Sequence, residues 1–247
     1  MERFISKVTV TGADDSIKPH NLAELSAEFP FVEFGILISH EYLGSTRFPS
    51  PEWLANLIEL CAGNEMQFSG HICGSWVNDI LMGQWPKSYF CNIHKDFMSP
   101  EMFKRWQINT HGELHTVDYR KLSLLLKELD SYGQSVIFQH DDVNIDLAPN
   151  LVGLGNHNVS VLFDVSHGTG RLPKQWPKPL DGVECGYAGG LSPRNVAAHI
   201  ERIATVVGNR HIWIDAETKL RSRNDHQFDI KKVRAFLMAV QPWVLKM

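Results

Sequence analysis

Short apolar runs rich in β-branched residues alternate with helical patterns along the whole chain, and this alternation constrains the fold more than any other feature. The eight runs predicted as strands are Phe4–Thr11, Phe31–Ser39, Met66–Cys73, Trp106–Thr110, Ser135–Gln139, Val159–Val165, Gly182–Ala188 and His211–Ala216. Strands that alternate with helices form right-handed βαβ units and a parallel sheet. Eight such units in 247 residues predict an α/β fold, a single (β/α)8 TIM barrel over residues 1–247.

Four of the predicted helices carry clear signals. Val117–Tyr132 places its apolar residues on one face. Ser50-Pro51 and Ser192-Pro193 each place a cap residue before a proline at the first helical position, and Asp229 caps the last helix. Three prolines within Leu172–Pro179 predict that the sixth helix is short or absent.

An open, doubly wound sheet is the alternative architecture. It usually carries a glycine-rich dinucleotide fingerprint after its first strand, and Val8–Asp15 does not match G-x-G-x-x-G. The segment Gln84–Lys104 is longer than one connection of a barrel requires. The barrel remains the favoured prediction.

The charge balance limits the partners that we expect. There are 24 basic and 28 acidic residues, a net charge of −4, which argues against a nucleic-acid or membrane partner but is compatible with a small phosphorylated substrate. The first residues lack the apolar core of a signal peptide, and the four cysteines form neither a disulfide framework nor a Cys-x-x-Cys motif. We therefore expect a cytoplasmic monomer or homodimer without a cofactor.

Polar residues are expected to meet at the carboxyl ends of the strands, where barrels of this type place their chemistry. The candidates there are Thr11, Asp14, Asp15, Glu33, His40, His71, His111, Glu113, His140, Asp141, Asp164, His167, Asp215 and Glu217. Histidine and aspartate from different strands can converge on a metal, but the twelve histidines include neither H-x-H nor H-E-x-x-H. We therefore predict no metal site and interpret most of these histidines as solvated rim residues.

Two glycines after the seventh predicted strand point to phosphate binding. Gly189 and Gly190 precede a helix start, so the backbone there can approach an anion closely. The loops after strands 7 and 8 form the usual phosphate site of this fold, which adds Thr218 and Lys219 as candidates, with Gly168 from the loop before. The alternative is a tight turn that merely requires glycine.

Several motifs, taken in order along the chain, resemble those of the phosphoribosylanthranilate isomerase family of tryptophan biosynthesis. In the last third, Leu162-Phe-Asp164 is followed by Gly168-Thr-Gly170, and then by Gly189-Gly-Leu-Ser-Pro-Arg-Asn-Val. Upstream, Ser45-Thr-Arg47-Phe-Pro-Ser-Pro and Gln107-Ile-Asn-Thr-His111-Gly-Glu are similar to family loops after the second and fourth strands.

The resemblance implies a (β/α)8 barrel that catalyses an Amadori rearrangement of a phosphorylated sugar derivative. It assigns the general acid to Asp164, the substrate carboxylate contact to Arg47, and the phosphate contacts to Gly189 and Gly190. An arginine fork suits a carboxylate geometrically. We further expect His111 to take part in catalysis, and His71 and Glu33 to bind substrate.

Two departures from the family pattern leave alternatives open. The family's catalytic base is a cysteine at the end of the first strand, where this chain has Thr11, and Lys219 replaces a glycine at the eighth strand. A threonine hydroxyl is too weakly acidic to replace a thiolate, so Asp14, Glu33, His71 or Glu217 are candidates for the base. Another phosphosugar-binding barrel, such as an aldolase with Lys219 as its Schiff base or a metal-dependent lyase or epimerase, is an alternative. A non-catalytic ligand-binding barrel is another.

Overall fold

The computed structural model describes residues 2–61, 65–86, 102–110, 115–164, 166 and 169–246. Eight parallel strands form a closed barrel in sequence order, and β1 pairs with β8 to complete it. The strands are β1 Ile5–Thr11, β2 Val32–Ile38, β3 Gln67–Ile72, β4 Phe103–Ile108, β5 Ser135–Gln139, β6 Val159–Phe163, β7 Glu184–Tyr187 and β8 Ile212–Ala216.

Helices follow the strands on the outside of the barrel. Those within the described residues are α1 Pro19–Glu28, α2 Pro51–Cys61, α3 Trp76–Leu81, α4 Tyr119–Ser131, α5 Leu147–Gly153, α6 Val196–Val207 and α7 Ile230–Val240, with short 3-10 helices at Thr218–Leu220 and Gln241–Trp243. Over the same residues, none of these helices has the length and apolar character required to cross a bilayer.

Local capping explains where several helices begin. Asp118 accepts a hydrogen bond from the Lys121 backbone N–H at 3.1 Å and begins α4, and Asp229 does the same for α7 through Lys232 N at 3.1 Å. Such caps satisfy backbone donors that have no partner inside the helix. The apolar face of α4, which includes Leu122 and Leu126, then packs on the barrel.

The strands are buried on both faces because helices cover the barrel outside and side chains fill it inside. All seven residues of β2 are buried, as expected for a parallel sheet. Successive side chains alternate between the two faces, so Arg105, Gln107 and Asn109 of the β4 segment share the barrel interior. This alternation decides which polar residues can reach the cavity at the carboxyl end.

The amino-terminal half of the barrel interior holds a buried ion pair. Arg105 donates two hydrogen bonds to Glu33, from Nε to Oε2 at 3.0 Å and from Nη2 to Oε1 at 2.6 Å, while Thr9 donates to Oε1 at 2.8 Å. The guanidinium carbon of Arg105 lies 4.5 Å from the centre of the Trp213 ring. Gly186 makes room for that ring, because a Cβ at this position would overlap it.

All eight predicted strands are confirmed, and so is the missing sixth helix, since the described residues between β6 and β7 contain none. The predicted start of the helix after β7 is wrong. Ser192 and Pro193 belong to a turn whose Asn195 side chain accepts a hydrogen bond from Ser192 N at 2.7 Å, and α6 begins only at Val196. β4 begins at Phe103, three residues earlier than predicted. Most of Gln84–Lys104 lies outside the described residues.

Candidate functional site

A cleft opens at the carboxyl ends of the strands, where this architecture places functional sites. It encloses about 500 Å³, part of which is open to solvent. Its polar and charged lining residues come from six strands and the loops that follow them: Thr11, His71, Gln107, Asn109, Gln139, Asp164, Ser166, Asp215, Glu217, Thr218 and Lys219.

The first and last strands meet at the bottom of this cleft through Thr11 and Asp215. The Thr11 hydroxyl donates to Asp215 Oδ1 at 3.1 Å, and both residues are buried. Gly35 on β2 keeps this corner open, because a Cβ there would overlap the Thr11 hydroxyl and lie 2.8 Å from the His71 ring. The second carboxyl oxygen of Asp215, Oδ2, is buried and has no hydrogen-bond partner among the described residues.

Burial sets the protonation of the ionisable groups in the cleft. It raises the pKa of Asp215 well above its usual range, and the charge of Glu217 adds to this effect. Burial also raises the pKa of Glu217, although the nearby charge of Arg47 opposes it. Burial lowers the pKa of His71 to about 3, so its imidazole is neutral; Nε2 lies 3.0 Å from Ser69 Oγ.

Asp164 follows β6 and lies on the other side of the cleft. Its Oδ1 accepts hydrogen bonds from the Ser166 backbone N–H at 3.0 Å and from the Ser166 hydroxyl at 2.6 Å. These bonds orient the carboxylate at the rim, with 8% of the residue exposed. Asp164, Asp215 and Glu217 therefore place three carboxyl groups around one cavity.

The loops after β6, β7 and β8 pack closely because of glycines. Gly189 and Gly190 both have positive φ angles, of 106° and 66°. A Cβ on Gly189 would lie 2.9 Å from Arg171 O, and one on Gly190 would lie 2.7 Å from Leu172 N. Gly170 in turn approaches the side chain of Thr218. The glycine pair thus meets a packing requirement at the place where the sequence predicts phosphate binding.

The cleft reaches the glycine loop but not the start of α6. Its lining includes Gly189, Gly190 and Leu191. Ser192 N is already bonded to the Asn195 side chain, and Asn195 Nδ2 donates to Gly190 O at 3.0 Å. Asn195, which precedes α6, therefore holds the glycine loop in place by hydrogen bonds and does not itself line the cleft.

Arg47 lies at the edge of the cleft and is held there by acidic partners. Its Nη1 donates to Glu217 Oε1 at 2.5 Å and its Nε to Asp225 Oδ2 at 2.7 Å, while its backbone N–H donates to Asp14 Oδ2 at 2.8 Å. Arg221, fully buried, also binds Asp14 and Asp225 at 2.7 Å each. A substrate carboxylate would have to compete with Glu217 for this guanidinium.

Other predicted site residues lie elsewhere. Glu33 is not at the carboxyl end of its strand: it is the second residue of β2, and its carboxylate is occupied by Arg105 and Thr9. Burial opposes ionisation of Glu33, but the charge and hydrogen bonds of Arg105 outweigh it and lower the pKa of Glu33 to about 2. The expected position of Glu33 at the carboxyl end of its strand was therefore wrong, and substrate binding by Glu33 stays an untested prediction.

His111 and Gly168 lie outside the described residues, as do Glu113 and His167. Asp14 and Asp15 join loops: Asp15 Oδ2 accepts from Ser50 N at 2.7 Å, and Asp14 is bonded to Arg221. His40, His140 and Asp141 do not belong to the described lining of the cleft. Over the described residues, no three His, Cys, Asp or Glu side chains are grouped so that they could hold a metal ion.

Several residues that line the cleft were not predicted from the sequence. Asp215 appeared among the strand-end candidates, but Gln107, Asn109, Gln139 and Ser166 did not. A signal for two of them was present, because Gln107 and Asn109 alternate with apolar residues at the end of a predicted strand. Polar residues at the carboxyl end of a barrel strand are candidates for the site by position.

No protein-family model and no curated protein sequence matches the chain. Many solved structures are similar to it, among them three that match over nearly its whole length. Phosphoribosyl anthranilate isomerase from Thermotoga maritima superposes with a TM-score of 0.57 at 14% identity, covering 96% of this chain and 100% of its own. 3-Keto-L-gulonate-6-phosphate decarboxylase from Vibrio cholerae superposes with a TM-score of 0.55 at 9% identity, covering 99% of this chain and 100% of its own. 3-Hexulose-6-phosphate synthase from Salmonella typhimurium superposes with a TM-score of 0.52 at 10% identity, covering 96% of this chain and 99% of its own.

These similarities extend to barrels with different reactions, at identities that carry information on the fold alone. They do not single out the isomerase family that the sequence motifs resemble. The comparisons and the strand topology together identify the chain as a (β/α)8 TIM barrel.

Proposed function

We propose that this protein is an enzyme that isomerises a phosphorylated sugar derivative by general acid–base catalysis, with Asp164 and Asp215 as its acid and base. The observation that carries the proposal is the pair of carboxyl groups in one cleft. Asp164 lies at the rim, whereas Asp215 is buried beside Thr11 with a raised pKa. Two carboxyl groups in different environments are a recurrent arrangement for acid and base roles.

Asp215 is the proposed base. Asp215 acts as the base in its ionised form, and because its pKa is raised, that form binds the C2 proton more strongly than an ordinary carboxylate would. Its Oδ2 is unpartnered among the described residues, while Oδ1 is held by Thr11. Thr11 occupies the position of the family's cysteine in the sequence resemblance, so Asp215 would supply the missing base from the adjacent strand.

The proposed reaction balances without an oxidant or reductant. Asp164 donates a proton to the ring oxygen of the sugar, the bond between C1 and that oxygen breaks, and Asp215 removes the proton from C2. Protonation at C1 and loss of the C2 hydroxyl proton complete the ketose. Each carboxyl group then returns to its starting state by proton exchange.

The phosphate is proposed to bind at the glycine loop. Gly189 and Gly190 line the cleft next to Thr218 and Lys219, and Lys219 provides a positive charge there. Glycine allows close backbone approach to an anion. The exposed position of Lys219 favours this role over Schiff-base chemistry, which needs a desolvated amine. The similar structures from Salmonella typhimurium and Vibrio cholerae are named for phosphorylated sugars, which is in keeping with the proposal.

The test is solvent exchange at C2. The purified protein is incubated in D2O with a panel of aldose phosphates and with N-phosphoribosylanthranilate, and deuterium in recovered substrate or product is measured by NMR. We expect exchange with at least one compound, reduced about 10²–10⁴-fold in Asp164→Asn and in Asp215→Asn. Asp142→Asn is the matched control, because this exposed carboxylate follows β5 and does not line the cleft.

An exchange rate unaffected by both substitutions would reject the assignment of acid and base. Cleavage of a carbon–carbon bond would support an aldolase instead. Saturable binding of a sugar phosphate without exchange or cleavage would support a non-catalytic barrel.

A further inference from the structure

Beneath the proposed reaction site, a chain of hydrogen bonds fixes the orientation of one amide on the cleft floor. The chain runs from the β3 backbone through Cys73 and Asn109 to Gln107. Each link has a donor and an acceptor that can be assigned from chemistry, because a backbone carbonyl only accepts and a thiol has a single hydrogen.

The first link is the contact of Cys73 with the backbone. Cys73 Sγ lies 3.7 Å from His71 O, and the carbonyl oxygen can only accept, so the thiol hydrogen points to it. Burial raises the pKa of Cys73 to about 12, so that the thiol keeps its hydrogen. The sulfur is then left to accept a hydrogen bond.

The second and third links follow from the first. Asn109 Nδ2 donates to Cys73 Sγ at 3.0 Å, which turns Asn109 Oδ1 towards Gln107. Gln107 Nε2 donates to that oxygen at 2.7 Å. The remaining atom, Gln107 Oε1, is buried and has no hydrogen-bond partner among the described residues, although Gln107 lines the cleft and is only 4% exposed.

An unpartnered buried carbonyl oxygen in a binding cleft has a physical cost, since it loses hydrogen bonds to water and gains none in return. A ligand that donates a hydrogen bond at this position removes that cost. The neighbouring groups, His71 and Asn109, are neutral and polar. A hydroxyl group fits such surroundings better than an aromatic ring or a charged group.

We propose that Gln107 Oε1 accepts a hydrogen bond from a hydroxyl of the substrate, and that the substrate is therefore a polyhydroxylated phosphate ester whose end remote from the phosphate is not aromatic. This inference rests on the proposed function, which places the phosphate of the substrate at the glycine loop. In this proposal Gln107 selects the substrate through its hydroxyl group, and Cys73 and Asn109 hold Gln107 in the required orientation.

The experiment compares the binding of four probes by calorimetry: ribitol 5-phosphate, phenyl phosphate, inorganic phosphate and ribitol. Ribitol 5-phosphate has no carbonyl group and cannot be isomerised. We expect it to bind at least about 10-fold more tightly than phenyl phosphate. Gln107→Leu should weaken ribitol 5-phosphate binding about 10-fold and leave inorganic phosphate binding unchanged.

The positioning role has its own pair of variants. Cys73→Ala removes the donor and acceptor that orient Asn109, and should weaken ribitol 5-phosphate binding several-fold. Cys73→Ser keeps one hydroxyl donor and an acceptor, and should restore it. Equal binding of ribitol 5-phosphate and phenyl phosphate to the wild type overturns the proposal whether or not the variants fold. Unchanged ribitol 5-phosphate binding in Gln107→Leu also overturns it.

The two proposals fail in different ways. If no phosphate ester and no inorganic phosphate binds, the phosphate site under the proposed function is wrong. Ribitol then tests the cleft floor separately, by saturation-transfer NMR. A ribitol signal that is lost in Gln107→Leu supports the hydroxyl site, and no signal with the wild type rejects it.

Discussion

Thr11, the last residue of β1, donates its hydroxyl hydrogen to Asp215 near the end of β8, over 3.1 Å, at the seam where the barrel closes. This bond holds one carboxyl oxygen of Asp215 and leaves the other buried and unpartnered among the described residues. Under the proposed function, Thr11 would therefore act through the carboxyl group of Asp215.

Thr11→Val removes the hydroxyl but keeps the branched shape of the side chain. The hydrogen bond from Thr11 favours the charged form of Asp215, so its loss raises the pKa of Asp215 further. We expect a roughly 10-fold lower exchange rate at neutral pH, and an activity profile displaced to higher pH. Thr11→Ser, which keeps the hydroxyl, is the control. Identical pH profiles for the wild type and Thr11→Val would contradict this role.

Asp215 should make the stability of the fold depend on pH. Its pKa is raised in the folded chain, which therefore keeps a proton that the unfolded chain releases above about pH 4. The contribution of Asp215 to the free energy of unfolding is greatest below that pH and is lost as the pH rises towards the folded-state pKa. Relative to the wild type, Asp215→Asn should gain in Tm as the pH is raised above about 4, measured by thermal unfolding. A difference in Tm that is constant with pH, as we expect for Asp142→Asn, would argue against a raised pKa.

Glu33→Gln should be strongly destabilising. It leaves the charge of Arg105 buried without its carboxylate, which typically costs about 3–5 kcal/mol in the free energy of unfolding. Because the pKa of Glu33 is lowered to about 2, the stability that it contributes is present above about pH 4.5 and is lost as the pH falls towards 2. Urea unfolding measures this loss.

A double substitution provides the control for the Glu33 pair. Glu33→Leu combined with Arg105→Met removes both charges, and should cost less than Glu33→Gln alone. A loss below about 1 kcal/mol in Glu33→Gln would show that the pair contributes little.

Arg47 tests backbone strain at the cleft edge. Its φ angle is 76°, a left-handed conformation that costs a non-glycine residue free energy. Arg47→Ala and Arg47→Gly both remove the contacts with Glu217 and Asp225, but only glycine relieves the strain. We expect Arg47→Gly to be more stable than Arg47→Ala by roughly 1 kcal/mol in urea unfolding. Equal stabilities would indicate that the loop relaxes when the side chain is lost.

Features governed by local order could be predicted from the sequence. The eight strands follow from short β-branched runs, and the start of the last helix from the Asp229 cap, because both depend on neighbouring residues. Asp164, His71 and the glycine pair were expected at the strand ends and do line the cleft. Their placement follows from the barrel itself, which brings every carboxyl end of a strand to one face.

Long-range contacts decided the rest. Glu33 was expected at the carboxyl end of β2, although the predicted strand Phe31–Ser39 already placed it near the start, and its partner Arg105 lies 72 residues away. The partners of Arg47 come from the loop after β8, and the orientation of Gln107 depends on the thiol of Cys73, which follows β3. The sequence by itself determined the fold, because each strand and each helix is specified by residues that are neighbours along the chain. Only the tertiary structure decided which polar groups are satisfied and which remain open to a ligand, because hydrogen-bond partners in a closed barrel come from residues that are distant along the chain.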